Sequence, residues 1–372
     1  MKAIKYHTGK FPPSINDLDW KRLLPLIGPA NAAVARYEGV LLGIPNAQVL
    51  LSPLTSQEAV LSSKIEGTQA TLGEVLEFEA AEETAPDNKR DDILEILNYR
   101  KAMKHAMEMM QTLPLSQRLI RDTHKKLLTG VRGRKKTPGK YRRIQNWIGS
   151  PGCKMEEARF IPPSADKVPI LMSKWEKYIH RKEFDKLVQL AILHVEFEAI
   201  HPFLDGNGRI GRLIVPLFLV SKGLLTSPTF YISAYLEAKR EEYYSRLLAV
   251  SRDGDWTNWC MFFLNALIEQ ANDNENKARV ILDLYQKKKD WITENTHSQY
   301  AVKALDWFFS KPVFSTSDFV TSADVPKPTA YRIIRICRDK GLLREIRSSS
   351  GRQAAILVFP ELVNIVEGHS IF

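Results

Sequence analysis

The sequence predicts a mainly α-helical protein with one short β-hairpin and a carboxyl-terminal winged-helix module. Apolar residues recur at three- and four-residue spacing through much of the chain, as in DDILEILNYRKAMKHAMEMMQTL at residues 91–113. Glycines and prolines interrupt this pattern between residues 132 and 163, where only short extended pieces remain. Beyond residue 297 the predicted order is three helices and then two short strands, which is winged-helix order.

Capping signals mark two helices near the amino terminus. Thr55 and Glu58 have capping-box spacing, and the helix they begin would end at Gly67. Thr71 and Glu74 repeat that spacing for a second helix. Two more helices are expected at residues 166–180 and 184–200.

Four regions follow from this organisation. We expect an amino-terminal helical region at residues 1–95, a catalytic core at 96–275, a helical connector at 276–297 and the winged-helix domain at 298–372. Within that last domain the predicted helices cover 298–309, 315–322 and 328–340. The predicted strands cover 342–347 and 354–358.

Composition points to an ordinary globular protein of the cytoplasm. The 372 residues are 44% hydrophobic and 26% charged, and no run is apolar enough to span a membrane. The three cysteines show no paired spacing, which favours free thiols in a reducing compartment. The net charge of +10 permits a polyanionic partner, although basic clusters such as RGRKKTPGKYRR at 132–143 are equally typical of solvated surface.

The segment HPFLDGNGRIGR, residues 201–212, places dense polar chemistry just before a hydrophobic helix. The two glycines around Asn207 suit a tight loop whose backbone passes close to a ligand. A helix beginning near Arg209 would present unpaired N–H groups and a positive dipole end, which bind phosphate. Arg209 and Arg212 share one helix face, so both could contact the same polyphosphate.

The other end of the segment offers a base and a metal ligand. A neutral His201 could accept a proton from an attacking hydroxyl. Asp205 could hold a Mg²⁺ ion that bridges phosphate oxygens. Together these residues predict phosphoryl or nucleotidyl transfer.

This segment resembles the signature of the Fic family, HPFx(D/E)GNGRxxR, at every defined position. The similarity extends over roughly residues 50–270 and includes PGKYRRIQNWIGS, RFIPP and the segment around EEYYSRL. It implies a helical Fic core that transfers AMP from ATP onto a Tyr, Ser or Thr hydroxyl of a target protein. Members that phosphorylate have an altered glycine loop, usually with Lys, whereas this loop is intact.

The resemblance also implies a role for each matching residue. His201 would be the base and Asp205 the Mg²⁺ ligand, while Arg212 would bind the γ-phosphate. Tyr244 would contact the nucleoside. The flap that pairs with a target segment as an added strand would contain Phe160 and Ile161. The phosphates would be bound by Gly206, Asn207, Gly208 and Arg209.

A second short motif, SSKIEG at residues 62–67, resembles the family's inhibitory motif (S/T)xxxE(G/N) through Ser62, Glu66 and Gly67. Ser62 and Glu66 are four residues apart and therefore share a helix face. A carboxylate there could pair bidentately with Arg212 and deny that side chain to ATP. We therefore expect autoinhibition; the resemblance leaves open whether Glu66 also supports removal of AMP.

Two other functions can be considered for this sequence. Arg332, Arg335 and Arg338 form a basic stripe on a predicted helix, so the chain could instead be a DNA-binding transcriptional regulator in which the Fic core senses nucleotide. The charge balance of residues 298–372, ten Lys or Arg against seven Asp or Glu, is mild for a DNA reader. A zinc hydrolase is disfavoured because His194, Glu198 and His201 lack HExxH spacing. Self-modification and a homodimer are compatible with the sequence.

Overall fold

The computed structural model describes residues 3–81, 87–131, 133, 135–150, 152–351 and 353–372, and these residues are mainly helical. The helices are α1 (Trp20–Gly43), α2 (Ala47–Leu50), α3 (Ser52–Ile65), α4 (Leu72–Ala81), α5 (Asp87–Met110), α6 (Gln117–Leu127), α7 (Val168–His180), α8 (Lys186–Ile200), α9 (Asn207–Ser221), α10 (Ser233–Ala238), α11 (Arg240–Asp253), α12 (Trp256–Thr296), α13 (Ala301–Ser310), α14 (Thr316–Ser322), α15 (Lys327–Asp339) and α16 (Pro360–Glu367). The strands are β1 (Ile4–Lys5), β2 (Phe160–Ile161), β3 (Val313–Ser315), β4 (Arg344–Arg347) and β5 (Ile356–Val358). Within these ranges no helix is both long and apolar enough to cross a lipid bilayer.

The chain forms two compact units whose segments alternate along the sequence. The first unit contains Met1–Glu38, Leu61–Gly67 and Asn98–Asn272, and the second contains Gly39–Val60, Thr68–Leu97 and Asp273–Phe372. The short segment Leu61–Gly67 therefore belongs to the first unit, although both of its flanking segments belong to the second. Residues 276–296, which are all but the last residue of the predicted connector, lie in the second half of α12 without a break before them.

The core of the first unit is built around α8, which packs against α7 and α9. Asp185 caps its amino terminus by accepting hydrogen bonds from the backbone N–H groups of Leu187 and Val188 at 2.9 and 2.8 Å. Trp175 and Trp259 are fully buried and donate their indole N–H groups to carbonyls of α8. Each buried side chain of this size stabilises the fold by roughly 1.5–3 kcal/mol, so the position of α8 is tightly fixed.

Two of the predicted helix starts have different outcomes. Thr71 and Glu74 form the expected capping box, with the two reciprocal bonds at 2.9 and 3.3 Å. The start predicted at Thr55 is wrong, because α3 already begins at Ser52 and Thr55 lies inside it. The apolar residues that precede Thr55 extend the helix backwards, and the capping-box spacing alone does not exclude this.

The loop region between residues 132 and 163 contains the expected hairpin contact, an antiparallel bridge between Ile148 and Phe160. β2 also pairs in parallel with β1, a partner that the sequence did not indicate. Two of the basic residues in the cluster at 132–143, Arg132 and Arg134, lie outside the described residues.

The second unit contains a three-stranded antiparallel sheet in the order β3–β5–β4. Its helices α13, α14 and α15 and its strands β4 and β5 correspond to elements predicted from the sequence. β3 and α16 were not predicted, since they are only three and eight residues long. Phe308, Phe314 and Phe319 pack together in the core of this unit.

Candidate active site

The segment 201–212 connects two buried helices through a loop with two left-handed residues. His201 ends α8 with φ 50° and donates its backbone N–H to the Phe197 carbonyl at 3.0 Å. Gly206 has φ 77° and stands immediately before α9. The left-handed region strongly favours glycine, which explains the glycine at this start of α9. The helix begins at Asn207, two residues earlier than the sequence predicted.

The side chain of Asn207 closes the loop rather than pointing towards a ligand. Its Oδ1 accepts from the backbone N–H of Phe203 at 2.8 Å, and its Nδ2 donates to the Phe203 carbonyl at 2.9 Å. The ring of Phe203 is fully buried and stacks on His124 with centroids 3.8 Å apart. The loop is therefore held rigidly between a buried ring and an amide clamp.

His124, on α6, is a site residue that the sequence analysis missed. Its Nδ1 accepts from the backbone N–H of Gly139 at 2.8 Å, which leaves Nε2–H to donate to the Asp205 carbonyl at 2.9 Å. Burial lowers the pKa of His124 to about 4, so the ring stays neutral in this tautomer. Its position 81 residues before Asp205 gives no local signal that could have found it.

Arg142 is a second missed residue. It is 2% exposed, and its Nε donates to the His201 carbonyl at 2.9 Å while its backbone N–H donates to the Pro202 carbonyl at 2.9 Å. The last carbonyls of a helix lack intrahelical partners, and Arg142 supplies one at the end of α8. It therefore fixes the backbone that carries His201.

His201 has the properties of a base. Its Nδ1 lies 3.3 Å from the Glu198 carbonyl, and its Nε2 has no partner among the described residues. Burial is the main cause that lowers its pKa to about 4, although Glu66 and the Glu198 carbonyl raise it in part. A ring that donates through Nδ1 and is neutral at pH 7 leaves Nε2 as a proton acceptor.

The amino terminus of α9 forms an anion-binding site with two buried arginines. Arg209 and Arg212 are 4% and 1% exposed. A Cβ atom on Gly208 would lie 2.1 Å from Oε1 of Glu66 and 3.0 Å from Nη1 of Arg212. Glycine at this position thus lets an anionic oxygen approach the helix end very closely.

The anionic oxygen at this site belongs to Glu66. Arg212 Nη2 donates to Glu66 Oε1 at 2.7 Å and to the Ser62 carbonyl at 2.8 Å, and Arg212 Nε donates to Ser62 Oγ at 2.9 Å. The bidentate pairing predicted from the sequence is wrong in this detail. Only Oε1 of Glu66 accepts from Arg212, while Ser62 accepts from Nε through its hydroxyl and from Nη2 through its carbonyl.

Charge on Glu66 is favoured by this environment. Burial raises the pKa of the Glu66 carboxyl. Arg212, and to a smaller extent Arg209 and His201, lower it by more than burial raises it, so the pKa lies below its ordinary value. The side chain is still 37% exposed, so water screens the pair in part. Gly67 follows with φ 102°, a backbone conformation that suits glycine.

Asp205 is the candidate Mg²⁺ ligand at the end of this loop. Its Oδ1 is 3.2 Å from Nη2 of Arg209, and its side chain is 35% exposed. In the part of the chain that the structure describes, no three His, Cys, Asp or Glu side chains form a metal cluster. Mg²⁺ commonly uses one or two carboxylates together with substrate phosphates and water, so a single exposed carboxylate fits it.

A cavity of about 480 Å³ opens beside these groups. One end is lined by Glu66, Gly208 and Arg212, with His201 close by. α11 forms another wall, to which it contributes Tyr244, Leu247, Leu248 and Ser251. Tyr244 also donates to the Ile65 carbonyl at 3.3 Å, next to Glu66. The size is typical of a pocket for a small molecule such as a nucleotide.

Glu198 lines this cavity, and His194 lies about one turn before it on α8. Burial raises the pKa of Glu198 to about 8. A Cβ atom on Gly211 would lie only 2.1 Å from Oε1 of Glu198. His194 is fully buried, contacts Tyr243 Oη at 2.9 Å and the Gly211 carbonyl at 3.2 Å, and has a pKa lowered to about 3 by burial. His194 is thus a histidine of the core.

The predicted flap residues lie in β2, and this strand is already paired on both sides. Phe160 is 5% exposed and exchanges backbone hydrogen bonds with Ile148, while Ile161 pairs with β1. An added strand at Phe160 or Ile161 would have to displace one of these partners. The backbone groups of Trp147 and Gly149 point away from β2, because neighbouring strand residues alternate, and they have no hydrogen-bond partner among the described residues.

The chain is similar to proteins of one family across much of its length. The Fic/DOC family N-terminal profile matches residues 24–108, and the Fic/DOC family profile matches residues 114–219. A probable protein adenylyltransferase of Aquifex aeolicus is 28% identical over 209 residues, which cover 54% of this chain and 59% of that protein. A protein adenylyltransferase Fic of Drosophila grimshawi is 25% identical over 250 residues, which cover 65% of this chain and 46% of that protein.

Solved structures show the same fold. A Fic family protein from Desulfovibrio desulfuricans has a TM-score of 0.55 at 20% identity and covers 91% of this chain and 95% of its own. A Fic domain containing protein from Bacteroides thetaiotaomicron has a TM-score of 0.54 at 18% identity and covers 68% of this chain and 97% of its own. With the two profile matches and the intact segment 201–212, these likenesses place the chain in the Fic/DOC family.

Proposed function

We propose that the protein transfers AMP from ATP onto a Tyr, Ser or Thr hydroxyl of a target protein, and that Glu66 inhibits this transfer. The observation that carries the proposal is the carboxylate of Glu66 bound to Arg212 at the start of α9, beside a neutral His201. A carboxylate oxygen occupies the place where a phosphate oxygen would bind. The names of the curated relatives support the same activity.

The proton transfer is assigned to His201. Its Nε2 accepts the proton of the target hydroxyl as the hydroxyl oxygen forms a bond with the α-phosphorus of ATP. The bond from that phosphorus to the bridging oxygen breaks, and pyrophosphate leaves with the electron pair. The low pKa of His201 means that the ring is available as a base at neutral pH.

The phosphates are positioned by α9. The free N–H groups at its start and the side chains of Arg209 and Arg212 hold negative charge in a buried site, where such contacts are stronger than in water. Asp205 would hold Mg²⁺, which when bound neutralises part of the charge on the phosphates. Asn207 keeps the loop closed, and Tyr244 contributes to the wall beside the nucleoside.

Inhibition follows from competition for one side chain. While Glu66 and Ser62 hold Nε and Nη2 of Arg212, these donors are not available to the γ-phosphate. ATP would then lack the contact that aligns its α-phosphorus with His201. Residues 62–67 therefore act as the inhibitory segment in this proposal.

A target segment would add to the flap next to Trp147 and Gly149. Their outward backbone groups border the cavity, since both residues line it. Main-chain pairing at such an edge binds an extended peptide and leaves its side chain free to enter the site. We assign residues 298–372 to a winged-helix module on the order of its helices and strands, and we place it as an appendage of the enzyme.

The test compares the wild-type protein with the Glu66→Gly variant, each incubated with α-labelled ATP, Mg²⁺ and cell lysate. Release of a charge-assisted hydrogen bond of about 1.5–3 kcal/mol predicts a rise in protein labelling of about tenfold to a hundredfold. Glu66→Gln, which keeps the shape and removes the charge, should give an intermediate rise.

Two controls separate the possible outcomes. Adding His201→Ala to Glu66→Gly should abolish labelling if His201 is the base. Labelling from γ-labelled ATP instead of α-labelled ATP would show phosphoryl transfer and contradict the proposal. Equal labelling by the wild-type protein and Glu66→Gly would contradict the inhibition.

A further inference from the structure

The segment formed by residues 4–7 joins the flap to the inside of the first unit. Ile4 donates its backbone N–H to the Arg159 carbonyl at 3.1 Å, and Tyr6 donates its backbone N–H to the Ile161 carbonyl at 3.1 Å. These bonds form the outer side of β2. We call residues 4–7 the strap.

The strap ends in a buried cluster of hydrogen-bonded side chains. Tyr6 Oη donates to Glu196 Oε1 at 2.7 Å, and His7 Nε2 lies 2.9 Å from Glu196 Oε2. His7 Nδ1 lies 2.9 Å from Ser251 Oγ. The side chains of His7 and Glu196 are both fully buried.

One arrangement of protons satisfies every contact in this cluster. Burial raises the pKa of the Glu196 carboxyl above its ordinary value, and the hydrogen bonds from His7 and Tyr6 lower it only in part. As a carboxylate, Glu196 accepts from both Tyr6 Oη–H and His7 Nε2–H, and His7 Nδ1 then accepts the hydroxyl proton of Ser251. The lone pairs of Ser251 Oγ are consequently free to accept from another group.

Ser251 lies on the wall of the nucleotide cavity. It follows Tyr244 by seven residues on α11, which is two helical turns and about 10 Å. Leu247 and Leu248 line the cavity between them. Ser251 is thus the polar group at the end of this wall away from Tyr244 and Glu66.

The strap touches two sides of the same cavity. Its backbone holds β2, whose Phe160 lines the cavity, and its His7 holds Ser251 on α11. Replacing a buried polar pair that includes a charged group by apolar residues is often neutral or stabilising, so stability alone is a weak reason for His7 and Glu196 to be there. Accurate placement of the two walls is a reason that fits their contacts.

We propose that His7, held by Glu196, is a positioning residue that orients Ser251 towards the bound nucleotide while the strap fixes β2 opposite to it. Loss of the contact between His7 and Ser251 should weaken nucleotide binding and leave the chemical step unchanged. The inference rests on the proposed function only in taking ATP as the ligand of the cavity.

The experiment uses half-isosteres of His7 in the full chain carrying Glu66→Gly. The amide of Gln reaches about as far as Nε2, so His7→Gln keeps the contact with Glu196 and loses Ser251. The amide of Asn reaches about as far as Nδ1, so His7→Asn keeps Ser251 and loses Glu196. His180→Gln, a change at an exposed histidine at the end of α7, is the matched control.

Calorimetry with ATP and Mg²⁺ gives the Kd, and labelling kinetics give KM and kcat. His7→Gln should raise Kd and KM for ATP about threefold to tenfold, the effect of one lost hydrogen bond, with kcat within twofold. His7→Asn should recover most of that affinity. The double variant His7→Gln/Ser251→Ala should bind ATP no more weakly than the weaker-binding of the two single variants, because both changes remove the same contact.

An unchanged Kd for ATP in His7→Gln, or additive losses of affinity in the double variant, would overturn the positioning role. If His7→Gln lowers the melting temperature so far that binding is lost, Ser251→Ala tests the contact from the helix side, and an unchanged Kd there overturns it. If Glu66→Gly transfers no label but binds ATP, the proposed function fails while the Kd series still decides the role of His7.

Discussion

Two helices of this protein carry arginines at three-residue spacing, and they differ in almost every other respect. On α9, Arg209 and Arg212 are 4% and 1% exposed and lie at the start of a buried helix. On α15, Arg332, Arg335 and Arg338 are all exposed. The spacing in the sequence is the same, but only α9 presents its charges in a site from which water is largely excluded.

Two of the three arginines of α15 bind other groups of the protein. Arg332 Nη1 donates to the Thr296 carbonyl at 2.7 Å, and Arg338 Nη1 pairs with Glu345 at 3.1 Å. This leaves Arg335 as the member of the stripe that has no partner among the described residues. The comparison therefore favours anion binding at α9 over DNA binding at α15, and it shows that burial rather than spacing distinguishes the two.

The largest expected effect comes from exchanging the buried arginine for lysine. In a Glu66→Gly background, Arg212→Lys keeps the charge but loses the planar fork that binds phosphate at several positions. We expect kcat/KM for transfer to fall by about 10²–10³-fold, the range for loss of one preorganised donor. Labelling kinetics with α-labelled ATP measure this.

The matched change on α15 is Arg335→Lys, which should leave transfer within twofold of the Glu66→Gly parent. A loss of similar size in both variants would break the comparison. A salt-sensitive, sequence-preferring complex with DNA that weakens in Arg335→Lys would revive the regulator hypothesis.

A second effect concerns pH, because burial changes the pKa of His201. Burial lowers this pKa to about 4, so His201 stays neutral and able to accept a proton well below its ordinary value of 6.5. The negative charge of Glu66 raises the pKa of His201. The Glu66→Gly change removes that charge, so it cannot move the loss of activity on acidification to higher pH. We expect kcat/KM of Glu66→Gly to stay flat from pH 7 down to about pH 5 and to fall only near pH 4.

The measurement is the pH profile of kcat/KM, which reports the free enzyme. An acid limb near pH 6.5, with a tenfold loss by about pH 5.5, would mean that His201 titrates as a solvated histidine. The burial of this loop would then not control its chemistry.

The smallest expected effect is on the surface of the second unit. Arg338 and Glu345 form an ion pair whose side chains are 47% and 30% exposed, so water screens it strongly. Arg338→Ala should change the free energy of unfolding by at most about 1 kcal/mol, as judged by denaturant titration. A much larger loss in the free energy of unfolding would show that exposure to water does not weaken this ion pair.

Several features of the fold and the site follow from local sequence. The capping box of Thr71 and Glu74 involves residues three apart, and the glycine before α9 satisfies a backbone angle at its own position. The segment 201–212 indicated the base, the phosphate-binding helix end and the two arginines, because all of them lie within four turns of chain. Such contacts are local, so the sequence pattern indicates them, although the same spacing at Thr55 and Glu58 does not mark a helix start.

Other features were decided only by tertiary structure. The contact of Arg142 with His201 spans 59 residues, and that of His7 with Glu196 spans 189. The pairing of Arg212 with Glu66 across 146 residues was expected only from the family resemblance, and the structure decided that a single carboxylate oxygen makes it. The pairing of β1 with β2, which occupies the flap edge expected to receive a target, likewise joins distant segments. Contacts over such separations depend on how helices pack, and packing places buried partners by shape and by the need to satisfy every buried polar group. The sequence by itself determined which chemical groups lie in the loop, and the fold determined which distant groups surround it and which of all these groups are buried, paired and available.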